Sequence, residues 1–82
     1  MNVKELEQHL IREGIDPAAY DLVGMNKDEV YCLEKSVSGW LVYYRERGLH
    51  SWEHLFSSED ETCQFLLKEI LRDPTTRMQK GK

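Results

Sequence analysis

The chain is poor in the residues that staple, span or carry chemistry. Two cysteines, Cys32 and Cys63, are too few for a disulfide scaffold, so reduced thiols in a cytosolic protein are the expectation. No apolar run approaches the roughly 20 residues a membrane helix needs, which argues against a membrane protein. The first ten residues carry acids and no apolar core, so they do not read as a signal peptide. Basic residues are outnumbered, 11 Lys and Arg against 15 Asp and Glu, for a formal charge of −4. Nucleic-acid binders usually need a basic face, so that partner class is set aside. CxxC, HExxH, GxGxxG and P-loop patterns are all missing. At 82 residues the chain holds one domain, and its size counts against a self-contained enzyme.

What is present is an ordinary folding composition, 40% hydrophobic with two Trp, four Tyr and two Phe, too apolar for a disordered chain. Residues 3–13 read as a helix, with Val3, Leu6 and Leu10 on one face and Gly14 as its stop. Asp16-Pro17 suggests a short second start, and Leu22-Val23 a short extended segment. The centre is strand-like: Glu29–Lys35, Trp40–Arg47 and His50–Phe56, rich in β-branched and aromatic residues. Ser36 to Gly39 joins the first pair, and Arg47-Gly48-Leu49 reads as a three-residue hairpin loop. Ser58 and Glu61 form a capping box ahead of an apolar stripe of Cys63, Leu66, Leu67, Ile70 and Leu71. Asp73-Pro74 ends that helix. The expected fold is α+β in the order α-β-β-β-α: a three-stranded antiparallel meander, with room for a short fourth strand, and two helices on one face.

The body and the end of the chain differ in charge. Residues 1–73 carry eight basic and fifteen acidic residues, a net of −7, whereas 74–82 carry three basic residues and no acid. Residues 1–74 are read as the domain and 75–82 as a disordered basic tail. An acidic body suits a basic partner, because a long-range field raises the association rate.

The loops set the register and the register sets the faces. Leu33 falls opposite Val42, Tyr31 opposite Tyr44, Tyr44 opposite Trp52 and Trp40 opposite Phe56. Tyr31, Leu33, Trp40, Val42, Tyr44, Trp52 and Phe56 then form the core under the helices. The other face carries Val30, Cys32, Glu34, Leu41, Tyr43, Arg45, Ser51, Glu53 and Leu55, and is expected to stay open. From it come the candidate partner-binding residues Glu34, Leu41, Tyr43, Arg45, Glu53 and Leu55, apolar at the centre and charged at the rim. The same face could instead be covered by the tail, by the 16–28 loop or by a second copy. A one-residue change in either loop would exchange the two faces.

No catalytic residue, metal ligand or cofactor site is expected. His50 and His54 sit four apart, about 13 Å on a strand, too far to share one metal. Cys63 lies on the helix stripe as a small hydrophobe, and no histidine is placed to activate Cys32.

One stretch carries a likeness: Tyr31-Cys32-Leu33-Glu34-Lys35, a short turn, Trp40, then Val42 to Gly48, continued by Phe56, the acidic helix start, Cys63 and Leu66-Leu67. It resembles small bacterial immunity proteins of polymorphic toxin systems, over residues 3–74. The resemblance implies a non-catalytic cytosolic inhibitor whose partner is one cognate toxin domain. It implies no site residues, since such families share none. The alternative is an adaptor or regulatory domain that self-associates through the open face. The expected state is a monomer or weak homodimer.

Overall fold

The computed structural model describes residues 1–25 and 27–78. The elements run α1 (Val3–Arg12), β1 (Tyr20–Asp21), β2 (Val30–Ser36), β3 (Gly39–Glu46), β4 (Leu49–Phe56) and α2 (Glu59–Arg72). The fold is α+β, as its sequence pattern predicts. One four-stranded sheet has the order β1-β2-β3-β4. The two hairpins are antiparallel, but β1 pairs parallel to β2, Tyr20 beside Tyr31 and Asp21 beside Cys32. The sheet is therefore mixed rather than a pure meander. A short 3-10 turn at Pro17–Ala19, capped by the Asp16 side chain, brings the chain from α1 to β1.

Both helices start from side-chain caps. Asn2 and Glu5 form a capping box for α1, and Ser58 accepts from the Glu61 amide for α2. The two N-termini are tied together: Val3 N–H donates to Glu59 Oε2 at 2.9 Å, and the terminal ammonium donates to Asp60 at 2.6 Å. Where α1 and α2 end, Asp16 N–H donates to the Thr76 carbonyl and Met78 N–H to the Gly14 carbonyl, both at 2.8 Å. The helices thus run side by side in one direction, α2 against β2, β3 and β4 and α1 against α2. Leu6, Leu10, Ile15, Leu33, Val42, Cys63, Leu66 and Ile70 are buried between them and the sheet. Tyr31, Trp40, Trp52 and Phe56 close the margins of this core, half-buried.

The end of the chain departs from its expected disorder. Pro74–Thr76 form a 3-10 turn, and buried Thr76 donates its hydroxyl to the Ile70 carbonyl at 2.9 Å. Arg77 pairs with Ile15 in a β-bridge and its guanidinium donates to the Glu13 carbonyl. Asp73-Pro74 stops α2, yet Thr76 to Met78 dock back onto the end of α1, where the Glu13 and Gly14 carbonyls accept from Arg77 and Met78. Residues 79–82 of the expected tail lie outside the described residues.

The second hairpin differs from its expected form in a way that matters. Its loop is two residues, Arg47-Gly48, both at positive φ (54° and 75°), the type I′ geometry that suits a twisted hairpin. Glu46 therefore faces Leu49 and Arg45 faces His50. The register then shifts by one between Tyr44 and Arg45, so Tyr44 faces Trp52. The skipped residue is Ser51, a β-bulge, whose hydroxyl donates to Glu46. The shorter loop and the bulge cancel, and every expected pair from Tyr44-Trp52 to Trp40-Phe56 is present. Only the tip of the strand changes face: His50 lies on the side away from the helices, while His54 packs its ring 4.9 Å from that of Phe65 on the helix side. The two histidines, expected on one face, lie on opposite faces.

Candidate functional site

The face away from the helices divides into a closed half and an open half. Over β2 it is closed: Val30 and Cys32 are buried, Tyr43 is 9% exposed, and Leu41 packs against them. This corrects the expectation that the whole face stays open. The cover comes from the segment between β1 and β2. Asp21 sits beside Cys32 in the parallel pair and so projects on the same side. Its carboxylate accepts from the N–H groups of Val23 at 3.3 Å, Met25 at 3.0 Å and Lys27 at 3.4 Å. Burial alone would raise the Asp21 pKa, but these donors outweigh it and hold the carboxyl below its ordinary range. At the far end of the same segment, Asp28 accepts from Gly48 N–H at 2.9 Å and approaches Arg45 Nε at 3.8 Å.

The open half lies over β3 and β4. Leu55 is 57% exposed, Leu41 half-buried, and Glu34 and Glu53 exposed at either side. The register places Leu41 opposite Leu55, Glu34 opposite Leu41 and Tyr43 opposite Glu53, so the six candidate residues do share one face. They do not share one environment. Tyr43 and Arg45 lie under or beside the cover, while Leu55, Glu53 and Glu34 face outward. His50, which is not among the six candidate residues, joins the group. Its ring stacks on Tyr43 and its Nδ1 pairs with the Glu53 carboxylate. The signal for it was the Arg47-Gly48 pair, which serves as a two-residue turn.

Burial disfavours the charged forms of the Cys32 and Tyr43 side chains on this face. Desolvation pushes the Cys32 thiol up to about 11, and the Asp21 charge adds to it. Burial also raises the Tyr43 hydroxyl, with Cys32 and Glu34 beside it. Buried on the helix side, Cys63 is likewise pushed up to about 11 by desolvation. Burial thus disfavours the thiolate form of both cysteines. Among the described residues no group of three or more His, Cys, Asp or Glu side chains is placed to hold a metal ion. Among them also, no helix is long and apolar enough to cross a membrane.

Two concave regions border β2, one at each end. A groove of about 350 Å³ runs along the outer edge of β2, lined by Asp21 to Gly24, Leu33 to Lys35 and Tyr43. A cleft of about 230 Å³ opens at the other end of the strand, lined by Asp16, Glu29, Tyr31, Tyr44 and Asp73 among others. Within the cleft the Asp73 carboxylate is already engaged, by the Tyr31 hydroxyl at 2.9 Å and by Thr75.

No family model, curated protein or solved structure matches this chain.

Proposed function

We propose that this chain is a non-catalytic protein-binding module that neutralises a bacterial toxin domain encoded beside it. The toxin docks on the open half of the sheet face, with Leu41 and Leu55 at the centre and Glu34 and Glu53 at the rim. Leu55 carries the reading: a leucine more than half exposed on the edge strand β4, opposite Leu41 and two residues from Glu53, is apolar area that a solvated face does not require. The acidic excess of residues 1–73 favours a basic partner and speeds encounter. The resemblance to immunity proteins supplies the partner class. Tyr43 and Arg45 support this surface from below rather than supplying its outermost contacts.

The test is co-expression with the protein domain encoded in the adjacent reading frame, reading both complex formation and cell growth. Leu55→Glu combined with Glu34→Lys changes two exposed positions and should leave the fold intact. The variant should lose binding and protection. Full protection by a correctly folded variant would sink this surface. The same exposed leucine also suits a second copy of the chain, so the mass in solution separates the two readings. A tight dimer that Leu55→Glu dissolves would favour self-association.

A further inference from the structure

The outer edge of β2 is left unfinished by the chain itself. β1 ends at Asp21, level with Cys32, while β2 continues through Ser36. The two-residue turn after Ser36 makes Ser36 and Gly39 a hydrogen-bonded pair. Main-chain groups of even-numbered residues in β2 thus point to β3, and those of Tyr31, Leu33 and Lys35 point outward. A longer β1 would meet them, but Asp21 prevents it. Val23 N–H, the next donor in line, is turned onto the Asp21 carboxylate, as are those of Met25 and Lys27. Lys27 Nζ pins the segment from below, donating to the Pro17 carbonyl at 3.1 Å. The Leu33 carbonyl and both main-chain groups of Lys35 consequently have no strand partner among the described residues. They line the groove of about 350 Å³ between β2 and the Leu22–Gly24 segment.

We propose that this groove receives an extended segment of a partner protein, which adds a strand to the outer edge of β2. The inference rests on the protein-binding reading above and specifies how the partner is held. Donors and acceptors two residues apart on a strand edge match the backbone of another extended chain, whatever its sequence. Glu34 and Tyr43 line the groove, so the added strand borders the open face and both are engaged together. Half-buried Leu22 and exposed Val23 form the opposite wall, which selects an apolar side chain on the incoming segment. The other edge of the sheet, β4, is longer but is broken by the bulge at Ser51 and carries Glu53 and His50. Bulges and charges are the features that keep strand edges from pairing.

Lys35→Pro isolates the edge, because proline removes only an outward N–H and leaves the β2–β3 ladder whole. Lys35→Ala is the control, since the Lys35 ammonium also lies 4.9 Å from the Trp40 ring centre. The probe is a displayed library of short random peptides selected on the full chain. Selected peptides should shift the amide resonances of residues 33–36, bind about tenfold more weakly to Lys35→Pro, and bind Lys35→Ala within about twofold. N-methylation of the peptide at alternate residues should abolish binding with a period of two, a readout that survives poor folding of the proline variant. The inference is overturned if no peptide is selected, if the peptides map elsewhere, or if proline has no effect. It is also overturned if the wild type dimerises through this edge, since the occupant is then a second copy. The neighbouring toxin domain supplies the separate arm. Equal binding to wild type and Lys35→Pro overturns the added strand and spares the functional reading. Failure to bind the wild type at all overturns the functional reading, and the peptides alone decide the edge.

Discussion

The His50 ring lies flat on the ring of Tyr43, centroids 3.7 Å apart and planes 14° apart. A regular strand running from Trp52 back to His50 would put the two histidines His50 and His54 on one side and keep His50 away from Tyr43. The bulge at Ser51 reverses this and places His50 and Glu53, three residues apart, on the same face.

Deleting Ser51 should therefore be tolerated. His50 would remain opposite Arg45 and Trp52 opposite Tyr44, with a regular ladder between them. Stability should change by no more than about 1 kcal/mol. Thermal unfolding checks this, and a collapse of the melting temperature would show that the extra twist of the bulge is required.

Tyr43 and Leu55 share a face but should answer differently to truncation. Tyr43→Ala empties a buried position and should cost about 3 kcal/mol, a large part of the stability of so small a domain. Leu55→Ala should stay within about 0.5 kcal/mol, since its side chain is already largely in water. Denaturant titration of both variants measures the difference. Equal effects would mean that the cover over β2 does not hold.

The chain beyond α2 should contribute to folding. The buried Thr76 hydroxyl lies 2.9 Å from the Ile70 carbonyl and 2.8 Å from that of Asp73. Thr76→Val keeps the shape and removes the donor, and should cost about 1–3 kcal/mol. A shift in denaturation midpoint at constant slope is the expected signature. An unchanged midpoint would return residues 75–78 to the status of a tail.

Asp21 should make the fold sensitive to acid. Its carboxyl is depressed in the folded state relative to an unfolded value of about 3.9. Its stabilisation is therefore complete above that value and is lost as pH falls from there through the lower folded pKa. The stability gap between wild type and Asp21→Asn should be level above about pH 5 and should shrink below about pH 4. Denaturation series at neutral and acid pH read this directly. A gap that is the same at both pH values would exclude the carboxylate as the anchor of the segment before β2.

Gly39 is a further position where the backbone leaves no choice. Its φ of +150° and the Phe56 carbonyl directly against the site of a Cβ exclude a side chain at the start of β3.

The α-β-β-β-α framework, the helix ends at Gly14 and Asp73-Pro74, and the pairing of Leu33 with Val42 and Tyr44 with Trp52 are all local matters. They follow from periodicity, caps and turns, which act over a few neighbouring residues and leave a mark at those residues. The six candidate residues shared one face for the same reason. Whether that face was open was not local. It depended on Asp21, far along the chain from Tyr43, turning three backbone N–H groups onto its own carboxylate and so holding the segment after β1 beside β2. It depended also on a two-residue turn and a bulge whose effects cancel beyond Tyr44, so that pattern alone could not separate them from a longer loop. The docking of residues 75–78 was hidden likewise, because the Thr76 hydroxyl, the Arg77 guanidinium and the Met78 N–H all meet backbone carbonyls, which every sequence shares. Composition and spacing determined which elements form; the meeting of distant main-chain groups decided which surfaces they leave exposed.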